Sequence, residues 1–174
     1  LYGDEDFLKK SYKNQLRQAI SGDDTMNFRY FEGKGISMTE VRDFGDTLQF
    51  FAPRRLLLIE DSGWFKSGGD EMRDYLERLP ETTYVVFAES QVDKRSRLYK
   101  MVKEKGYIAE LNKQNEKQLA SWAAGILSRE KKKITGDTMM YFLGKVGDDM
   151  SAITSELEKL ISYTMGRDVV TADD

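Results

Sequence analysis

The chain has 174 residues, 40% of them hydrophobic, enough to bury the core of one domain or of two small ones. Its formal charge of -3, with 33% charged residues, gives no global basic field of the kind that drives nucleic-acid binding, so any DNA contact must be local. With no cysteine and no histidine it excludes disulfides, thiolate and imidazole metal sites, and the Ser-His and Cys-His nucleophile systems.

In chain order, Leu1-Tyr2 reads as the stump of a first strand, so a few native residues are expected ahead of it. Phe7 to Ile20 predicts a helix, with Phe7, Leu8, Tyr12, Leu16 and Ile20 near one face and Asp4, Glu5 and Asp6 at its start, where the helix dipole favours anions. Asn27 to Phe31 predicts a strand and Thr39 to Leu48 a helix. Arg55 to Ile59 is an apolar run typical of a central buried strand. A Gly- and Ser-rich loop from Asp61 to Gly69 follows, then a helix from about Glu71 to Leu79, a strand at Tyr84 to Phe87, a helix from Arg97 to Lys105 and a short strand at Tyr107 to Ala109. This alternation predicts an α/β domain with a mostly parallel sheet flanked by helices.

From about Asn115 the period becomes helical throughout. Leu119, Trp122, Ala123, Ile126 and Leu127 follow helical spacing, as do Met139, Phe142, Leu143 and Val146, and then Met150, Ile153, Leu157, Leu160 and Ile161. Gly147 and Gly166 are placed as helix terminators. The expected organisation is an α/β domain over residues 1–113 and a small all-α lid over 114–174. The end of the chain at Thr171 to Asp174 has the form of a helix start with Thr171 as N-cap, which predicts a further helix beyond it.

An α/β domain followed by a helical lid is the layout of nucleotide-dependent motor ATPases, so the turn after the first strand is decisive. A P-loop needs G-x-x-x-x-G-K-[ST], but residues 3–10 read Gly-Asp-Glu-Asp-Phe-Leu-Lys-Lys, with carboxylates where phosphates would sit. Leu56 to Asp61 has the form of a Walker B element, an apolar strand ending in the acids Glu60 and Asp61, though acids end many α/β strands. Gly33-Lys34-Gly35 and Gly68-Gly69 read as connections. Lys94, Arg95, Arg97, Lys100, Lys103 and Lys105 are placed on a helix, and Lys131-Lys132-Lys133 follows the first lid helix. Either group is a solvated face or a local phosphate contact. Trp64-Phe65 in the loop is a candidate exposed aromatic pair, or else pins the loop to its domain.

Phe50 and Phe51 stand at the end of the second helical pattern, ahead of Pro53-Arg54-Arg55. At about 100° per residue, Met38, Val41, Phe44 and Leu48 form one stripe. A continued helix puts Phe51 at its edge and Phe50 on the opposite side. Burying a Phe side chain gains about 1.5 to 3 kcal/mol, so a ring aimed away from its own core suggests a partner surface. The alternative is that the helix ends earlier and both rings tuck into the fold.

The segments LYGDEDFL, FFAPRRLLLIE, VDKRSRLYK, ELEKLISYT and GRDVVTA resemble the delta subunits of the bacterial DNA polymerase III clamp loader, and the resemblance runs through nearly the whole chain. It implies an AAA+-like α/β domain and helical lid, without the C-terminal collar domain through which these loaders oligomerise. It implies a subunit without a working P-loop and without intrinsic enzymatic activity, belonging to an assembly that is a DNA-directed DNA polymerase. The implied cofactor is none, with ATP bound by other loader subunits. The implied role is to bind the ring-shaped sliding clamp and favour its opening for loading onto primed DNA during replication. In the family a hydrophobic pair at a helix tip makes the clamp contact, matching Phe50 and Phe51, followed here by Ala52, Arg54 and Arg55. Phe50 departs conservatively from a Leu-Phe pair. The implied partners are the clamp, the other loader subunits and, within the assembly, primed DNA. A different class of function, a nucleic-acid-binding α/β module, would use Lys94, Arg95, Arg97 and Lys100. No apolar run approaches the roughly 18 residues of a membrane span and no signal sequence opens the chain, so no membrane contact and a cytoplasmic location are expected.

Overall fold

The computed structural model describes residues 1–47 and 53–174. They divide into two compact units, Leu1–Asn112 and Lys113–Asp174. The first runs α1 (Asp6–Ile20), β1 (Phe28–Glu32), α2 (Met38–Asp46), β2 (Arg55–Glu60), α3 (Asp70–Glu77), β3 (Thr83–Ala88) and α4 (Arg97–Lys105). The three strands form a parallel sheet in the order β1-β2-β3, with Leu57 opposite Arg29 on one side and Val85 on the other. Helical crossovers are what parallel neighbours require, and they cover both faces of the middle strand. Hence Leu56, Leu57, Leu58 and Ile59 are all buried.

Tyr2 extends this sheet, bridging in parallel to Glu89 and to Glu110. The strands expected at Leu1-Tyr2 and at Tyr107 to Ala109 are thus reduced to single bridges among the described residues. Tyr107 itself is fully exposed, which leaves that stretch little apolar surface to hold it flat. Gly3 turns the chain directly after Tyr2 at φ +127°, where a Cβ would lie 2.2 Å from the Leu111 carbonyl oxygen. Only glycine fits there.

The core of this unit gathers Phe31, Val41, Leu57, Ile59, Met72, Tyr75, Phe87 and Leu98 with Trp64 and Phe65. Of the two readings of Trp64-Phe65, an exposed pair or a pin for the loop, the structure rules out the first. Their exposures are 9% and 4%, and Phe65 meets Phe87 edge-on at 5.1 Å, so the pair pins the 61–69 loop to the sheet.

The second unit runs α5 (Glu116–Arg129), β4 (Lys133–Ile134), α6 (Gly136–Val146), α7 (Met150–Tyr163) and β5 (Val169–Val170). Leu119, Ala123 and Leu127, then Met139 and Leu143, then Met150, Ile153 and Leu157 supply its buried faces. A capping box starts α5: Gln118 N donates to Asn115 Oδ1 and Asn115 N to Gln118 Oε1, each at 2.9 Å. The unit is not purely helical, because β4 and β5 pair in parallel. Lys132 Nζ donates at 2.6 Å to the carbonyls of both Thr164 and Arg167. It thereby caps the end of α7, so the middle member of the Lys131 to Lys133 run is used inside its own unit.

Replacing Gly3 by Ala is expected to destabilise the first unit by about 1 to 3 kcal/mol through positive φ and the Leu111 approach. Gly125→Ala, in α5 with nothing within 4 Å of its added methyl, is expected to stabilise the second by up to about 1 kcal/mol. Urea unfolding midpoints of the two variants check both signs.

Candidate functional site

In open α/β sheets ligands settle at the carboxyl ends of the strands. Here the acids at those ends face in different directions. Glu60 accepts from Lys13 Nζ at 2.5 Å through each oxygen and from the Tyr30 hydroxyl at 2.8 Å. Burial, then Glu60, pushes the Tyr30 phenol up from its ordinary range. Asp61 turns away, accepting at Oδ1 from Ser90 N at 2.9 Å and Ser90 Oγ at 2.8 Å. The turn at Gly3 is filled by backbone: Glu5 N donates to Leu111 O at 2.9 Å and Leu111 N to Tyr2 O at 2.7 Å. Glu5, the buried N-cap of α1, accepts from Phe7 N at 3.1 Å. Among the described residues no three of His, Cys, Asp and Glu converge to hold a metal ion.

Glu89 is a carboxylate that sequence reading missed. Only 3% exposed, it accepts from Ser62 Oγ at 2.5 Å, Ser62 N at 3.1 Å and Gly63 N at 3.3 Å, which ties the 61–69 loop to the end of β3. Burial pushes its pKa up, against the downward pull of the Ser62 and Gly63 donors. Its signal was an acid directly after an apolar strand.

Phe50 and Phe51 lie outside the described residues, as do Leu48, Gln49 and Ala52. Both flanks are described. Ser37 caps α2, accepting from Glu40 N at 3.4 Å, and the helix ends at Asp46 rather than Leu48. Thr47 is extended, with ψ 142°, so the helical phase read from Met38 to Phe44 stops at that residue. The reason lies in distant residues that take up the last carbonyls of α2. Arg55 Nη1 donates to Phe44 O at 2.6 Å and also to Thr47 O. Thr83 Oγ1, whose residue pairs with Arg55 across the ladder, donates to Gly45 O at 3.2 Å. The Tyr75 hydroxyl donates to Asp46 Oδ1 at 3.0 Å and occupies the space beside Gly45, where a Cβ would lie 2.0 Å from it.

Arg55 is therefore not a surface cation. It is 2% exposed, its guanidinium carbon stands 4.8 Å from the Phe44 ring centroid, and Nη2 donates to Asn27 Oδ1 at 3.2 Å. Burial pulls its pKa down from the ordinary arginine value, while Tyr75 and Asp24 pull it back. Asp24, in turn, is held below the usual carboxylate range by hydrogen bonds from Asn27. The neighbouring Arg54 is exposed and faces the Tyr84 ring at 5.7 Å.

The basic cluster is broken up. Lys94 and Arg95 precede α4 rather than lying on it. Lys94 donates to Glu110 at 2.9 Å, which raises its pKa, and Arg95 pairs with Asp93 at 3.0 Å. Arg97 stands 3.8 Å from Asp70, and Lys100 is exposed on α4. Lys94, Arg95 and Arg97 thus each have a carboxylate of their own chain within reach, while their side chains and that of Lys100 stay exposed.

The family model described as "DNA polymerase III, delta subunit" matches residues 1–112. Over 188 aligned residues the chain is 23% identical to DNA polymerase III subunit delta of Bacillus subtilis (strain 168), covering 100% of this chain and 54% of that protein. Among solved structures, a DNA clamp loader delta protein of Bacillus subtilis superposes with a TM-score of 0.80 at 20% identity, covering 99% of this chain and 55% of that one. A DNA polymerase III gamma subunit-related protein of Thermotoga maritima superposes with a TM-score of 0.53 at 13% identity, covering 95% and 54%. These likenesses show a shared fold, a parallel α/β unit followed by a helical region. The chain spans about half the length of the relatives it matches.

Because the folded pKa of Glu89 is raised, its contribution to stability is full below the ordinary carboxylate pKa and is lost as pH rises through the folded value. Unfolding of wild type and Glu89→Gln from about pH 4 to pH 7 is expected to show wild type losing stability relative to the variant as pH rises.

Proposed function

The chain belongs to the DNA polymerase III delta-subunit family, and on that premise we propose that it is the clamp-engaging part of a clamp-loader delta subunit. It binds one side of the ring-shaped sliding clamp through Phe50 and Phe51 and favours the open ring, for loading onto primed DNA. The observation that carries this reading is the anchoring on both sides of the pair: Arg55, Thr83 and Tyr75 hold the end of α2 just before it, and Arg55 begins β2 just after it. Such a rigid base suits two aromatic anchors that must enter a pocket on a partner.

The mechanism is conformational work by binding energy. Contacts that are better in the strained, open clamp than in the closed one shift the ring's equilibrium by that difference in affinity. No reaction is assigned to this chain, and ATP is bound by the other loader subunits. This is supported by the internal engagement of Glu60, Asp61 and Glu89 and by the Leu111 backbone at the turn after Tyr2. The α/β unit is assigned clamp binding and the helical unit the lid, with loader subunits as further partners. Primed DNA is met only inside the assembly, since Lys94, Arg95 and Arg97 already face carboxylates of their own chain.

Each ring is expected to act as a hot spot of about 2 kcal/mol or more. Phe50→Ala and Phe51→Ala should each weaken clamp affinity at least about tenfold with unchanged unfolding midpoints. Wild-type affinity in the double variant would overturn the assignment.

A further inference from the structure

We propose that Arg55 is a positioning residue for the Phe50-Phe51 contact, an inference that rests on the reading of that pair given above. A guanidinium remains charged at any physiological pH, and burying one is costly unless acceptors meet it. The four strand residues after it are Leu56, Leu57, Leu58 and Ile59, so an apolar side chain would satisfy the sheet at this position as well. What an apolar side chain cannot do is hold carbonyls. Arg55 Nη1 reaches Phe44 O, in the last turn of α2, and Thr47 O, at the residue that leaves it. These bonds span 11 and 8 positions, so they close the chain on itself on either side of residues 48–52. Nη2 is fixed at the same time by Asn27, a residue buried at the head of β1.

The charge fits its place, because the carbonyl end of a helix carries partial negative charge. The fork geometry matters as well, since a lysine ammonium offers a point charge and no planar pair of nitrogens. The sheet ladder and the helix end do not depend on Arg55 alone: Thr83 holds Gly45 O and Tyr75 holds Asp46 separately. The geometry therefore separates folding, shared among several residues, from the direction in which the chain departs Thr47 and returns at Arg55. Fixing that direction during folding removes an ordering cost from the later binding step.

The test is a cycle of substitutions in the whole chain, with Arg55→Leu and Arg55→Lys each made in the wild-type and in the Phe50→Ala/Phe51→Ala background. Sliding-clamp affinity and thermal unfolding are measured for all of them. The expected result is cooperative unfolding, a loss of clamp affinity of about tenfold for either Arg55 variant in the wild-type background, and no further loss where both phenylalanines are already gone. Arg55 variants that bind as tightly as wild type, while the phenylalanine variant binds weakly, overturn this inference and leave the clamp reading intact. An equal loss with and without the phenylalanines also overturns it, since Arg55 would then act through the fold at large. So does failure of both Arg55 variants to fold. A phenylalanine double variant that binds like wild type sinks the clamp reading itself, and this inference with it.

Discussion

A guanidinium buried among carbonyls is the constraint around which the α/β unit is arranged. Arg55 opens the central strand, reaches sideways to the end of α2 and, through Asn27, to the segment that leads into β1. Three parts of the chain that are distant in sequence thus share one charge. Each supplies something that an isolated buried cation lacks: the helix end its dipole, Asn27 its amide oxygen, and Asp24 a carboxylate behind that amide. Phe44 contributes its carbonyl and its ring to the same group. The result is a helix that stops at Asp46 although its apolar stripe, read locally, would continue.

The two ends of the strands are built differently. At the carboxyl ends of the strands, where this class of fold ordinarily receives ligands, the polar groups are engaged with one another: Glu60 with Lys13 and Tyr30, Asp61 with Ser90, and Glu89 with Ser62 and Gly63. These bonds lock loops to strands. The α2–β2 junction lies at the amino end of β2, the opposite edge, and it is there that the chain carries two phenylalanines between firmly held flanks. The polar groups at the carboxyl ends are thus spent on holding the unit together, while Arg55 does the same work at the amino end of β2.

Much of this was legible in the sequence where the cause was local. The run Arg55 to Ile59 marks the central strand, the bounds Arg97–Lys105 of α4 follow from its pattern, and the change of period near Asn115 marks the start of α5. What could not be read was set by partners far along the chain. The end of α2 depends on Arg55 and Thr83, which no helical periodicity contains. Trp64 and Phe65 looked available because the core that takes them in is assembled from distant residues, among them Phe87 of β3, which meets the Phe65 ring. Lys94 looked like part of a helical face because the carboxylate that draws it aside, Glu110, lies beyond the far end of α4. Strands β4 and β5 are two residues each, too short to leave a pattern.

The central claim is that this chain engages a sliding clamp through an apolar contact carried by Phe50 and Phe51. It is tested most directly by an equilibrium titration of the unsubstituted chain with the clamp across ionic strengths from about 0.05 to 0.5 M. Apolar burial is little screened by salt, whereas surface charge contacts weaken steeply over that range. The account predicts saturable binding whose affinity changes little across the series. Absence of saturable binding, or an affinity that collapses as salt rises, would contradict it.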